Sequence, residues 1–320
     1  MIKLENISKY FGVTTAVDHI SFEVKEGETM VLLGTSGCGK TTTLRMINRL
    51  IEPSSGIVWV NGENVLTQSP ENLRKGIGYV LQHHGLFPHY TIAENIQVVP
   101  TLMHWNKEKK MERTRELMNK MQLPFDLFGH LYPRELSGGQ QQRVGVARAL
   151  ASFPPVLLMD EPFGALDPVT RSDIRSHLMQ LEEFNKKTII LVTHDIQEAF
   201  AYGDRICIMH NGTIVQEGPP EELLFHPANE FVSGFLKEQR MQLELKTVRL
   251  FHIWDLLPQA SVENPATASL SEDNSVWELT DWLTLHSTSA FILNNRTNEV
   301  KEIALEGLLQ AYKQYKLTSV

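Results

Sequence analysis

The chain has 320 residues, 42% of them hydrophobic, and a formal net charge of −8 at pH 7. That length admits one large domain with a small one, or two medium domains. The acidic balance argues against a nucleic-acid binder that relies on an overall basic field, and no apolar run reaches the roughly 18 residues of a membrane span.

The opening MIKLENISKYFG has no apolar signal region, so a cytosolic location is expected. Cys38 and Cys207 are expected as reduced thiols, not as a disulfide framework.

In chain order, IKLENI and ISFEV alternate as short strands, and ETMVLLG is an apolar run that suits a buried strand. Lys40 to Leu50 is helix-like, IGYVLQ reads as another buried strand, and Asn106 to Met121 has helical spacing with many charges. VLLMDEP and TIILVTHD are buried strands that end in charged residues, the layout of a parallel-sheet nucleotide domain. IMHNGTIVQEG reads as a hairpin turning at Asn211-Gly212. Near Gln239 the character changes. Ser275 and Glu278 fit a capping box ahead of an apolar face of Val276, Leu279, Trp282 and Leu283. AFIL and VKEIAL follow as strands around the turn NNRTN, and EGLLQAYKQY as a final helix.

GTSGCGKT, Gly34 to Thr41, follows a predicted strand, precedes a predicted helix and matches the phosphate-loop pattern. Its backbone N–H groups would wrap nucleotide phosphates, Lys40 would meet the β and γ phosphates, and Thr41 would offer a hydroxyl to Mg²⁺. In VLLMDEP, Asp160 would hold Mg²⁺ through water and Glu161 would polarise the attacking water as general base. His194 ends a third buried strand, where it can donate a hydrogen bond to a γ-phosphate. Gln82, which ends IGYVLQ, can reach Mg²⁺ or the attacking water when its loop closes. Phe11 is a candidate to stack on adenine, with Tyr10 as the competing candidate. His83 and His84 receive no role, because their spacing makes no metal site.

Together GTSGCGKT, LSGGQ (Leu136 to Gln140), LLMDEP, GALD (Gly164 to Asp167), Gln82 and His194 resemble the ATP-binding cassette (ABC) family over roughly residues 1–235. The resemblance implies an α/β phosphate-loop cassette with a mixed sheet and a helical subdomain. It implies ATP and Mg²⁺, with Gly34, Ser36, Gly37, Cys38, Gly39, Lys40, Thr41 and Thr42 lining the nucleotide. Two copies would pair head to tail, so that Ser137, Gly138, Gly139 and Gln140 of one copy face the phosphate loop of the other. Asp167 would lie at the same interface. The positive end of the helix that LSGGQ opens suits such an anion contact.

GYVLQHHGLFPHYTIAENIQVVP, YPRELSGGQQQRVGVARALA and MDEPFGALDPVTR look like the ATPase subunits of importers for glycine betaine, carnitine, choline or proline. This implies two transmembrane permease subunits, a substrate-binding protein acting indirectly, and a peripheral place on the cytoplasmic membrane face. Leu86 to Ile96 would receive a permease helix. Residues 1–238 form the expected ATP-binding domain, and 239–320 a module similar to a single CBS motif (named after cystathionine β-synthase) in element order. An importer of another solute such as an amino acid, and a soluble ABC ATPase, are the alternatives. A phosphotransferase has no use for LSGGQ or His194.

Overall fold

The computed structural model describes residues 1–82, 85–164, 181–184, 187–258, 270–286 and 289–318. By contacts the chain divides into two units, Met1–Glu217 and Gly218–Val320.

The first unit opens with the antiparallel pair β1 (Ile2–Phe11) and β2 (Thr14–Val24), followed by β3 (Thr29–Gly34) and helix α1 (Lys40–Ile47). Then come β4 (Ser55–Val60), β5 (Glu63–Asn64), α2 (Pro70–Lys75), β6 (Ile77–Val80), α3 (Ile92–Leu102), α4 (Lys107–Lys120), α5 (Phe125–Phe128) and α6 (Gly138–Leu150). β7 (Val156–Asp160), β8 (Thr188–Thr193), α7 (Ile196–Tyr202), β9 (Arg205–His210) and β10 (Thr213–Gly218) follow.

One sheet runs in the order β2-β1-β4-β5, the other β10-β9-β3-β8-β7-β6. In the second, β9, β3, β8, β7 and β6 pair in parallel. β7 and β8 are buried at every residue, which explains their unbroken apolar runs: a parallel sheet is covered on both faces. α1 packs on strands of both sheets, and its Leu44, Met46 and Ile47 share one core with Ile2, Leu4, Leu32 and Leu158. α1 stops at Ile47, short of the expected Leu50, because Arg49 turns left-handed with φ 49°. Asn211 and Gly212 take φ 48° and 83°, the left-handed pair that a tight hairpin turn requires.

The parallel order puts the C-terminal ends of β3, β6, β7 and β8 on one edge. That edge carries the phosphate loop, Gln82, Asp160–Glu161 and His194.

The second unit contains α8 (Pro220–Phe225), α9 (Glu230–Leu236), α10 (Arg240–Thr247), β11 (Leu270–Ser271), α11 (Val276–His286), β12 (Ala290–Leu293), β13 (Val300–Ile303) and α12 (Leu305–Thr318). β11 is parallel to β12, and β12 antiparallel to β13. The capping box forms: Glu278 N donates to Ser275 Oγ at 3.1 Å, and Ser275 N to Glu278 Oε2 at 2.6 Å. Val276, Leu279 and Leu283 are buried as the spacing predicts, while Trp282 is half-buried and stacks on His286.

The contact boundary at Gly218 precedes the change of character near Gln239. α8 groups with the later helices because Arg240 Nη2 donates to Leu224 O at 2.8 Å and Phe225 meets Tyr315 edge-on at 5.7 Å.

Candidate nucleotide site

The loop between β3 and α1 is built around close backbone approaches. A Cβ on Gly39 would come 2.5 Å from Ala16 O, and one on Gly34 would come 2.3 Å from Met209 O. Gly39 is also left-handed, with φ 104°, and it begins α1 with no side-chain cap. The first N–H groups of α1, including those of Lys40, Thr41 and Thr42, therefore have no partner within the helix. Ser36 and Gly37 are exposed on the loop, whereas the Cys38 side chain turns into the core, so Cys38 offers a ligand only its backbone.

Lys40 is buried, and its Nζ donates to Gly34 O at 2.8 Å and Thr35 O at 2.9 Å. Among the described residues no carboxylate pairs with it. A buried ammonium held by two carbonyls and the Cys38 sulfur at 3.7 Å, all neutral, is short of an anion. Together with the free N–H groups, this fits the loop to nucleotide phosphates.

Beside it, Thr41 Oγ1 donates to Asp160 Oδ1 at 2.7 Å, and Tyr79 Oη lies 3.5 Å from Asp160 Oδ2. Burial pushes the Asp160 carboxyl above its ordinary value, and the Thr41 hydrogen bond only partly opposes this. A desolvated carboxylate next to a hydroxyl is the oxygen donor set that Mg²⁺ takes.

One step further along the edge, three strand ends meet at a single atom. Glu161 Oε2 accepts from Gln82 Nε2 at 3.1 Å and lies 3.2 Å from His194 Nδ1. Glu161 holds φ 43°, a left-handed conformation uncommon for a residue with a side chain. The sheet order explains the meeting, because β6, β7 and β8 are consecutive neighbours.

Phe11 and Tyr10 are 50% and 41% exposed at the end of the β1–β2 hairpin. Phe11 pairs with Thr14, two residues from the Ala16 that touches Gly39, and both aromatics stay available to stack on a base.

LSGGQ is arranged differently. Ser137 caps α6, its Oγ accepting from Gln140 N at 3.3 Å, while Ser137 N donates to Gln140 Oε1 at 2.8 Å. α6 packs on α3, α4 and β6, and among the described residues neither Ser137 nor Gln140 bonds to residues 34–42 of its own chain. Gly138 and Ser137 are exposed. The side-chain oxygen of Gln140 is engaged in the cap, so a ligand contact through it requires the cap to open. Asp167 lies outside the described residues.

The sequence reading missed Tyr79 and Arg45. Burial raises the Tyr79 hydroxyl to about 12, with the Asp160 charge adding to it and a hydrogen bond from Arg45 opposing. The available signals were a tyrosine inside a buried strand, which needs a polar partner, and an arginine one helical turn after Thr41.

A family model described as "ABC transporter" matches residues 17–164. Over 263 residues the chain is 52% identical to the osmoprotectant import ATP-binding protein OsmV of Salmonella typhimurium, covering 81% of this chain and 69% of that protein. The chain belongs to the ABC transporter ATP-binding family. It is also 52% identical over 242 residues to the glycine betaine/carnitine/choline transport ATP-binding protein OpuCA of Bacillus subtilis. That match takes in 75% of this cassette chain and spans 63% of the relative's length. Among solved structures, a dimeric post-hydrolysis state of an ATP-binding cassette bound to ADP and phosphate superposes with a TM-score of 0.62 at 35% identity, covering 68% of this chain and 98% of that one.

Proposed function

We propose that this ABC chain is the ATP-hydrolysing subunit of an importer for osmoprotectants such as glycine betaine, carnitine, choline or proline. The meeting of Gln82, Glu161 and His194 beside Lys40, Thr41 and Asp160 carries the hydrolytic part. The printed functions of OsmV and OpuCA support the solute class.

In this reading the loop N–H groups and Lys40 bind the ATP phosphates, and Phe11 or Tyr10 stacks on the base. Thr41, Asp160 and Gln82 would hold Mg²⁺, which when bound neutralises charge on the β- and γ-phosphate oxygens. Glu161 takes a proton from the attacking water, and Gln82 and His194 fix its carboxylate. The water oxygen bonds to the γ-phosphorus as the bond to the bridging oxygen of ADP breaks. His194 is placed to donate a hydrogen bond to the γ-phosphate.

A second copy supplies Ser137, Gly138 and Gly139 to the site, with Gln140 holding the cap and Asp167 at the same interface. Two transmembrane permease subunits complete the importer at the cytoplasmic face of the membrane, with a substrate-binding protein acting through them. Among the described residues no helix is long and apolar enough to cross a membrane, so permeation is assigned to those partners. Phe87 and Tyr90, 47% and 46% exposed and 5.4 Å apart, suit the contact with a permease helix.

Uptake of labelled glycine betaine and choline in cells lacking this gene tests the reading, with complementation by wild type or Glu161→Gln. Restoration by wild type alone is the expected result. If neither solute is restored while the purified chain hydrolyses ATP, the cassette stands and the solute assignment falls.

A further inference from the structure

The second unit contains a cleft of about 480 Å³ between the turn around Phe251, the start of β11–α11 and the β12–β13 turn. Its chemistry is that of a cation site. The Glu272 side chain is only 4% exposed and makes no hydrogen bond among the described residues, where its ion-pair partner is Arg296 Nε at 3.7 Å. Arg296 is itself 78% exposed and stands 5.9 Å from the centroid of the Phe251 ring. A guanidinium reaching from solvent to an aromatic face and a buried carboxylate occupies the place of a ligand cation.

A second observation points the same way. Asn294, 6% exposed, lines the cleft; its Oδ1 accepts from Arg296 N at 2.9 Å and Thr297 N at 3.0 Å. Its side-chain NH₂ has no hydrogen-bond partner among the described residues and opens on the cleft, where it can donate to a ligand. Lys301 is fixed in the wall, donating to Trp254 O at 2.8 Å. With Arg296 swung into solvent, the lining carries three carboxylates (Asp255, Glu272 and Glu299) against this one ammonium.

We infer that this cleft binds a small quaternary ammonium compound in place of the Arg296 guanidinium. Quaternary nitrogen has no N–H to donate, which matches a carboxylate flanked by aromatic surface better than a cage of acceptors. The methyl groups lie on Phe251, Glu272 supplies the counter-charge, and the Asn294 NH₂ donates to a hydroxyl on the ligand, while the Trp254 ring is already faced by the Lys301 ammonium at 4.9 Å. Choline has this combination. Glycine betaine brings its own carboxylate toward Glu272 and Glu299 and binds more weakly. Feedback on an importer from the solute it accumulates is the regulatory meaning, and that meaning rests on the importer reading. The binding does not, because it is measured on the isolated chain.

The test is isothermal titration of the purified full-length chain with choline chloride, with sodium chloride at equal ionic strength as blank and glycine betaine as the zwitterionic comparison. Saturable heat with choline is expected. Phe251→Leu and Glu272→Gln each weaken it about tenfold, with thermal unfolding of each variant checking that it is folded. Arg296→Ala tightens it several-fold by removing the internal competitor. No choline heat beyond the blank overturns the site. So does binding unchanged in folded Phe251→Leu, or weakened in Arg296→Ala. Failed uptake with intact choline binding removes the importer reading alone.

Discussion

Two buried carboxylates, one in each unit, show opposite solutions to the same cost. Asp160, 1% exposed, has one good hydrogen bond, from Thr41, and a distant tyrosine. Burial wins, and its carboxyl is held above the ordinary range. Glu244 is fully buried, yet it accepts from Arg240 Nε at 2.7 Å, Tyr312 Oη at 2.6 Å and Lys316 Nζ at 2.5 Å. Burial pushes Glu244 up, but the bonds from Lys316, Tyr312 and Arg240 together outweigh it and hold the carboxyl below its ordinary value. A carboxylate supplied with donors by its own fold is structural. One left short of donors, as Asp160 is, leaves lone pairs that suit a cation from outside.

Glu161→Gln gives the largest expected effect: ATP turnover falls at least about 100-fold while nucleotide binding, followed by a fluorescent ATP analogue, stays intact. Retained turnover would move the general base elsewhere. The same amide-for-acid change then separates the two buried carboxylates. Glu244→Gln leaves Arg240 and Lys316 without their counter-charge, and thermal or urea unfolding should report a loss of about 3 kcal/mol. Asp160→Asn keeps an acceptor for Thr41 and removes an uncompensated charge, so in Mg²⁺-free buffer it should gain about 1 kcal/mol. Both changes destabilising the chain alike would end the contrast.

Acid titration gives the smallest effect and an opposite pair of signs. Glu244 has a lowered folded value, so its contribution is complete above the ordinary carboxylate value of 4.5 and is lost as pH falls through the lower folded value. Asp160 has a raised folded value, so the native state binds its proton first, and stability from this group rises as pH falls from the raised value toward 3.8. Urea midpoints measured across this range should flatten in Glu244→Gln and steepen in Asp160→Asn relative to wild type.

Much of the nucleotide edge was legible because it is written locally. Apolar runs ending in charge gave β7 and β8, the glycine spacing gave the loop between β3 and α1, and Ser275 with Glu278 gave the start of α11. What lay out of reach depends on which strands become neighbours. Gln82 and Glu161 are 79 positions apart, and only the β7–β6 pairing brings them together. The Glu244 cluster spans 72 positions to Lys316, and no local period announces it. β4 escaped notice as a strand because the sheet it joins is completed by β1, far earlier in the chain.

The cap on α6 has a consequence for what LSGGQ can accept. Ser137 Oγ already receives the Gln140 N–H on one lone pair, which leaves its proton free to donate to a visitor. Beside the N-terminal N–H groups of α6, that donor makes the motif favour electron-rich groups before any shape is compared. Threonine at this position would keep that sense of direction. Alanine would leave a helix end that still attracts negative charge but no longer grips it.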